Sequence, residues 1–330
     1  MKSVGILRLA LVCLTGGLGI AASSAAPTKL EHTEFGHKRY VRLGDWGRAN
    51  GFDIRWLKRD ESVQLSNRTA RLVFSKDSRE AEVNGINIWL SYPIVVESGA
   101  GFIAEADIET AIRPLLTPPR NRTSIKTIVI DPGHGGKDPG FEDGGRQEKK
   151  YTLLLAQELC EQLKRAGFKA SLTRTTDTFI DKPLRPDLAR RRGADLFVSL
   201  HWNSAGSVRS DVKGVETYCL TPAGAPSTNA GNDLTGAELK PGNRNNDKNM
   251  FLAYELQRAL VKSLGMEDRG LRRARFAVLS VAEIPAVLIE GGFMSHPTES
   301  RRIYDPVFRQ KMAKTIVDGL LAYQKQVERQ

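Results

Sequence analysis

Long apolar runs are nearly absent from this 330-residue chain: beyond residues 9–22, no stretch is apolar enough to cross a bilayer. Cysteine is scarce, with three in all. Cys13 lies inside the apolar run, so Cys160 and Cys219 are left either to bridge in an oxidising compartment or to stay as buried free thiols. Acidic residues are in deficit, 38 Asp plus Glu against 49 Lys plus Arg, for a net charge of +11. That balance points to an anionic partner: nucleic acid, a lipid surface or an acidic polymer. Histidine occurs only five times, so its placement is informative. With 40% hydrophobic and 26% charged residues, the composition excludes a collagen-like chain, a coiled-coil rod and a wholly disordered protein.

What is present begins with export. Residues 1–25 read as a signal peptide. Lys2 and Arg8 precede or flank the apolar run, and small residues follow it, with Ser23 and Ala25 suited to a peptidase site. The alternative, a retained membrane anchor, is opposed by the shortness of the run and by Gly16, Gly17 and Gly19 within it. Cys13 follows Val12 rather than a small residue, which argues against lipidation. The mature chain is therefore expected to be periplasmic or extracellular and associated with the cell wall. It has no stable membrane span after cleavage, and no nucleic acid among its partners.

The remainder divides in two. Residues 38–117 are expected to form a small mixed α+β domain. Segments 71–74, 81–83 and 86–90 alternate as strands, Asn84-Gly85 makes a hairpin turn, and residues 103–116 are helical. Gly44 and Gly51 punctuate its start, and Trp46, Trp56 and Trp89 are read as core or half-core rather than sugar-stacking residues. This segment resembles the copper amine oxidase N-terminal-like domain, but has no histidine cluster to hold copper. Residues 118–124, polar and opening on Pro118-Pro119, are the linker. Across residues 125–326 strand and helix alternate. Strands are expected at 127–130, 168–173, 195–200, 215–220 and 286–289, and helices at 148–166, 184–192, 250–264 and 306–326. The fold class is α/β, a mostly parallel sheet with helices on both faces.

In such sheets chemistry collects at the carboxyl ends of strands. Three of those ends carry polar residues: Asp131-Pro132-Gly133-His134-Gly135-Gly136, then His201-Trp202-Asn203-Ser204, then Glu290-Gly291-Gly292-Phe293. The first loop lacks the G-x-x-x-x-G-K-[ST] and G-x-G-x-x-G forms of a phosphate cradle. Two strand-end histidines and a carboxylate match the three protein ligands that hydrolytic zinc takes. His134 and His201 supply the first two, and Glu148 at a helix start the third, with Glu142 and Asp143 as its rivals. Glu290, past an apolar strand, is the candidate catalytic carboxylate.

These motifs have a family. Residues 128–136, Gln147-Glu148-Lys149, residues 193–201 and residues 285–295 resemble, in order, the zinc-dependent N-acetylmuramoyl-L-alanine amidases, the amidase type 3 family of bacterial wall hydrolases. The resemblance implies that His134, Glu148 and His201 bind Zn2+ and that Glu290 is catalytic. It further implies that the substrate is peptidoglycan, cut between N-acetylmuramic acid and L-alanine. A zinc peptidase acting within the stem peptide and a non-catalytic peptidoglycan-binding protein are the competing readings.

Departures from the family pattern are Trp202, expected to narrow or stack along the cleft, Gln147, and His296, read as a helix-start residue. Arg269, Arg272, Arg273 and Arg275 form a basic cluster, either a solvated loop or a guide for anionic wall groups. Some relatives carry an inhibitory helix after the second histidine strand. Here residues 221–249 are rich in Gly and Pro, so no activator protein is expected to be required.

Overall fold

The computed structural model describes residues 30–121, 123–206, 211–229 and 234–328, so the proposed signal peptide lies outside the described residues. The first half of the chain contributes β1 (His32–Phe35), β2 (Lys38–Arg42), α1 (Leu43–Ala49), β3 (Asp53–Lys58), β4 (Ser62–Ser66), β5 (Arg71–Ser75), β6 (Glu80–Val83), β7 (Ile86–Trp89), β8 (Val95–Glu97) and β9 (Ala100–Ala104). A helical stretch, α2 (Glu105–Asp107), a π-turn and α3 (Arg113–Leu116), leads out of it. The second half runs β10 (Thr127–Pro132), β11 (Glu142–Asp143), β12 (Arg146–Gln147), α4 (Glu148–Arg165), β13 (Lys169–Leu172), α5 (Leu184–Arg191), β14 (Leu196–Asn203) and β15 (Val215–Leu220). It ends with α6 (Asn246–Leu264), β16 (Asp268–Ala274), α7 (Ala277–Ser280), β17 (Ala286–Phe293), α8 (Pro297–Tyr304) and α9 (Pro306–Val327).

Local chemistry accounts for most of these boundaries. Asn84 (φ 50°) and Gly85 (φ 79°) give the left-handed pair that a two-residue hairpin between β6 and β7 requires. Strand β10 is Thr-Ile-Val-Ile-Asp-Pro, buried on both faces after its first residue, as suits a central parallel strand. Helix α4 buries Tyr151, Leu155, Leu159 and Leu163, one stripe at four-residue spacing. Helix α6 stops at Gly265, whose φ of 60° makes a left-handed cap.

Strands β13, β10, β14 and β17 lie side by side and parallel; β15 joins β17 antiparallel and β16 continues parallel to β15. Alternation along these strands sends side chains to two layers. Ile128, Ile130, Val198, Leu200, Val287 and Ile289 belong to the core that includes Leu155 and Leu159 of α4, Leu256 of α6 and Ile316 of α9. Val129, Phe197 and Leu288 cluster instead with Ala189 of α5 and with Val278 and Leu279 of α7. This is the α/β sheet covered on both faces.

The sheet continues into the first half of the chain. Strand β7 pairs parallel with β16 through Ile88 and Leu271, and β6, β5, β4 and β3 follow, giving eleven strands in one sheet. Side chains fasten this junction. Asp268 accepts from the Asn87 amide (2.8 Å), Trp89 Nε1 donates to the Arg269 carbonyl (3.2 Å), and Tyr254 donates to the Val83 carbonyl (3.1 Å). A separate four-stranded sheet, β1-β2-β9-β8, completes the small mixed unit.

Two local readings differ from the sequence expectation, and a third point, which the sequence left open, is decided. Residues 43–49 form a helix, α1, where glycines suggested only a turn. Gly47 is needed there because a Cβ would meet Leu65 Cδ2 at 2.9 Å. Arg269, Arg272 and Arg273 belong to strand β16, which the run of arginines around Gly270 disguised. Cys160 on α4 and Cys219 on β15 are both buried and free.

Candidate metal centre

Each candidate residue is delivered by a different strand end. His134 sits just after β10, Glu148 is the first residue of α4, His201 lies in the last turn-out of β14, and Glu290 occupies β17 at the rung level with His201. The loop that carries His134 holds it at φ 62°, a left-handed conformation uncommon for a side-chain-bearing residue and typical of functional loops. Its glycines clear space. A Cβ on Gly133 would lie 2.3 Å from His201 Cε1, and one on Gly140 would lie 2.5 Å from Glu148 Oε2.

Three donor atoms converge. His134 Nε2 is 3.0 Å from Glu148 Oε1, His201 Nδ1 is 3.0 Å from the same oxygen, and the two imidazole nitrogens are 3.1 Å apart. Protons alone satisfy such a triangle poorly, since two ring nitrogens face each other across it. Two imidazoles and a carboxylate with their lone pairs on one point are the donor set zinc takes, so the residues present fit that ion. Glu142 and Asp143 are exposed on the β11–β12 hairpin and take no part in the cluster.

Supporting contacts fix each donor. Asp138 Oδ1 lies 2.9 Å from His134 Nδ1; a carboxylate only accepts, so Nδ1 carries the proton and Nε2 keeps its lone pair inward. Glu148 accepts from the Trp202 amide on Oε1 and from the Phe141 amide on Oε2, both at 3.1 Å. Beneath the loop, fully buried Asp131 takes hydrogen bonds from Thr173 (2.6 Å), Ser199 (2.9 Å) and Arg185 (2.9 Å). Arg185 also donates to the carbonyls of Pro132 and His134, and Arg174 to those of Pro132 and Gly133. The loop's backbone is thus held by two buried guanidinium groups. Among these Asp131 stood in a motif read from the sequence, three residues before His134.

The electrostatics follow from burial and pairing. Burial would lower the His134 imidazole, but Glu148 and Asp138 outweigh it and the net shift is upward. Burial would raise Glu148, but the two imidazoles beside it outweigh that and hold it far below the usual carboxylate range. Glu290 stands well above its ordinary value, first through desolvation and then through the charges of Glu148 and Glu216, and its Oε2 is buried without a hydrogen-bond partner.

All four residues line one cleft of about 520 Å³, together with Phe141, Lys182, Asn203, Arg275 and Phe276. Trp202 lines the cleft as expected, but it is 1% exposed and its ring packs where a Gly291 side chain would stand, 2.8 Å from that Cβ position, so it offers no open face for stacking. Arg273 is likewise structural, its guanidinium bonded to Leu220 O, Asn246 Oδ1 and Thr110 O. His296 caps α8, its Nδ1 accepting from the amides of Thr298 and Glu299.

A half-buried His–Glu–His cluster at the strand ends of a mostly parallel sheet, with a free carboxylate in the same cleft, is the layout of a metal-dependent hydrolase. The chain belongs to the N-acetylmuramoyl-L-alanine amidase family, whose model matches residues 128–322. It is 32% identical over 242 residues to N-acetylmuramoyl-L-alanine amidase AmiC of Neisseria meningitidis, covering 66% of this chain and 57% of that one. It is 32% identical over 221 residues to AmiA of Escherichia coli K12, covering 60% and 76%. The crystal structure of an N-acetylmuramoyl-L-alanine amidase from Clostridium difficile 630 superposes with a TM-score of 0.53 at 30% identity, over 62% of this chain and 98% of that chain. The alignment thus spans little more than half the length of the Neisseria relative.

Proposed function

We propose that this chain is an exported cell-wall hydrolase that cleaves the amide between N-acetylmuramic acid and L-alanine in peptidoglycan. Zinc would be held by His134, Glu148 and His201, with Glu290 as the catalytic carboxylate. The observation that carries this reading is the convergence of the three donor atoms within 3.1 Å of one another. When bound, zinc lowers the pKa of its water towards about 7 and polarises the scissile carbonyl. Glu290 Oε2, buried and unpartnered, accepts a proton from the attacking water and returns it to the leaving amine. Its raised pKa suits the delivering half of that cycle. The His134 loop and the first turn of α4 keep the donors rigid, so little reorganisation accompanies turnover.

In this reading residues 1–25 are the signal peptide, 38–117 a small N-terminal domain, 118–124 a linker and 125–326 the catalytic domain. Export places the enzyme in the periplasm or outside the cell, against the wall. Among the described residues no helix is long and apolar enough to cross a membrane. Dye release from labelled peptidoglycan, with and without chelator, tests the enzyme. Product analysis tests the bond: free stem peptides beginning with L-alanine are expected, whereas fragments cut within the stem would make it a peptidase.

A further inference from the structure

The charges lining the cleft are not all accounted for by the metal centre. Of its carboxylates, Asp131 is paired with Arg185, Asp138 with His134, and Glu148 with both imidazoles, while Glu290, the catalytic candidate, forms no ion pair among the described residues. Of its cations only Arg185 has an ion-pair partner. Lys182 and Arg275 line the same cleft and form no ion pair among the described residues. Arg275 is tied to neutral acceptors, Ser227 Oγ at 3.0 Å and the Ala225 carbonyl, and so keeps its full charge. Glu238, whose pKa feels Arg275, is already bound to Lys240. Lys182 is exposed, and its charge reaches Asp138 behind His134.

Lys182 also marks where the cleft continues. A second hollow of about 530 Å³ is lined by Phe179, Asp181, Pro183 and Leu184, and shares Lys182 and Ala277 with the first. Leu184 is 51% exposed there. A path therefore leads from the metal cluster past Lys182 into a mostly apolar trough, while Arg275 stays on the side of the metal cluster. On the proposed substrate the lactyl carboxyl is consumed in the scissile amide, so the sugar side is uncharged and the stem peptide carries the free carboxylates.

We propose that Lys182 and Arg275 form an anion subsite for a free carboxylate on the peptide side of the scissile amide, the hollow beyond Lys182 taking the adjoining aliphatic chain. This rests on the amidase reading and adds a specificity element to it: the enzyme prefers a stem whose glutamyl α-carboxylate is free over one in which it is amidated.

The test uses the zinc-loaded full chain and a product-like tripeptide, L-alanyl-γ-D-glutamyl-L-lysine, with the glutamyl α-carboxylate free or as carboxamide. Calorimetric titration should show the free acid binding about tenfold tighter, the scale of one charge-assisted hydrogen bond. Lys182→Gln and Arg275→Gln should each abolish most of that difference by weakening only the acid form. Arg275→Lys should stay within about threefold of wild type, since the charge persists. Should Arg275→Gln unfold through loss of the Ala225 and Ser227 contacts, Lys182→Gln and Arg275→Lys decide the matter. Equal binding of acid and amide by wild type, or equal weakening of both in the variants, overturns the subsite. Cleavage of a muropeptide is followed separately. Wild type that discriminates the tripeptides but releases no stem peptide would refute the amidase reading and leave the subsite standing.

Discussion

Glu216 and Glu290 face each other at one rung of the antiparallel β15–β17 pairing, two carboxylates with opposite surroundings. Glu216 is saturated: Arg269 at 2.8 Å, Arg272 at 3.3 Å, Tyr218 OH at 2.8 Å and Asn203 Nδ2 at 2.9 Å all converge on it. Glu290 Oε2 has no partner. A carboxylate bound on every side is a structural charge, whereas one left without a partner beside the metal centre can move a proton.

That separation predicts the behaviour of Glu290→Gln. The amide cannot accept the proton, so kcat should fall at least about 10²-fold. Bound zinc and melting temperature should match wild type, because none of the three donors is touched. Turnover and metal content measured on the same preparation check this. A variant in which only KM rises would recast Glu290 as a substrate-binding residue.

Asp138 should matter through the metal rather than the substrate. Its carboxylate fixes the Nδ1 proton of His134, and partners of that kind typically contribute 10–100-fold, so Asp138→Asn should weaken zinc affinity by about that range. Competition with a chromogenic chelator measures it. Unchanged affinity would mean that the Pro132–Gly136 backbone alone positions the ring.

Gly291 is predicted to be intolerant because of Trp202. A Cβ at Gly291 would lie 2.8 Å from the indole and 3.1 Å from Met312 Sδ, so Gly291→Ala should destabilise by about 1–3 kcal/mol, the usual overpacking range. Adding Trp202→Phe should recover part of the loss, a coupling that thermal melts of the single and double variants reveal.

The relation also shows what the sequence could and could not reveal. His134, His201 and Glu290 stood out because polar residues at the ends of buried strands are conspicuous, and a short apolar run such as residues 127–130 reads as a strand unaided. Strand β16 did not stand out. Its alternation is masked by arginines whose neutralising partners, Glu216 and the Thr110 carbonyl, are far away in sequence. The same holds for the joining of β7 to β16, a single-rung pairing between residues 183 positions apart, which no local pattern encodes. Trp202 misled as to stacking for a related reason: the space it fills is made by a glycine on the adjacent strand.

Asp107 should give stability a distinct pH dependence. It is 1% exposed, takes hydrogen bonds from the Ser91 and Tyr92 amides, and burial lifts its pKa from 3.8 to about 6. The folded state therefore binds a proton that the unfolded state has released between about pH 4 and 6, so this group's contribution falls as pH rises through that window. At about 1.4 kcal/mol per unit, the stability of wild type relative to Asp107→Asn should drop by about 2 kcal/mol from pH 4 to pH 7. Urea titrations of both proteins at several pH values supply the comparison, and a flat difference would contradict it.

The last prediction concerns control. An inhibitory plug would have to place a carboxylate on the His134–Glu148–His201 cluster, and among the described residues no fourth ligand joins it. Glu238, the acidic residue of the 234–249 segment best placed by sequence for that role, is exposed and bound to Lys240. No described residue between 221 and 249 lines the cleft; instead that segment anchors Arg275 through Ala225 and Ser227. The described part of the segment thus stands behind the cleft, against Arg275. We predict that the purified mature protein, loaded with zinc, cleaves peptidoglycan with no activator present, and that Glu238→Gln leaves its rate within about twofold of wild type, as for a surface substitution away from the site. Activity that appears only after residues 221–249 are shortened, or only in Glu238→Gln, would make the segment inhibitory and reverse this assignment.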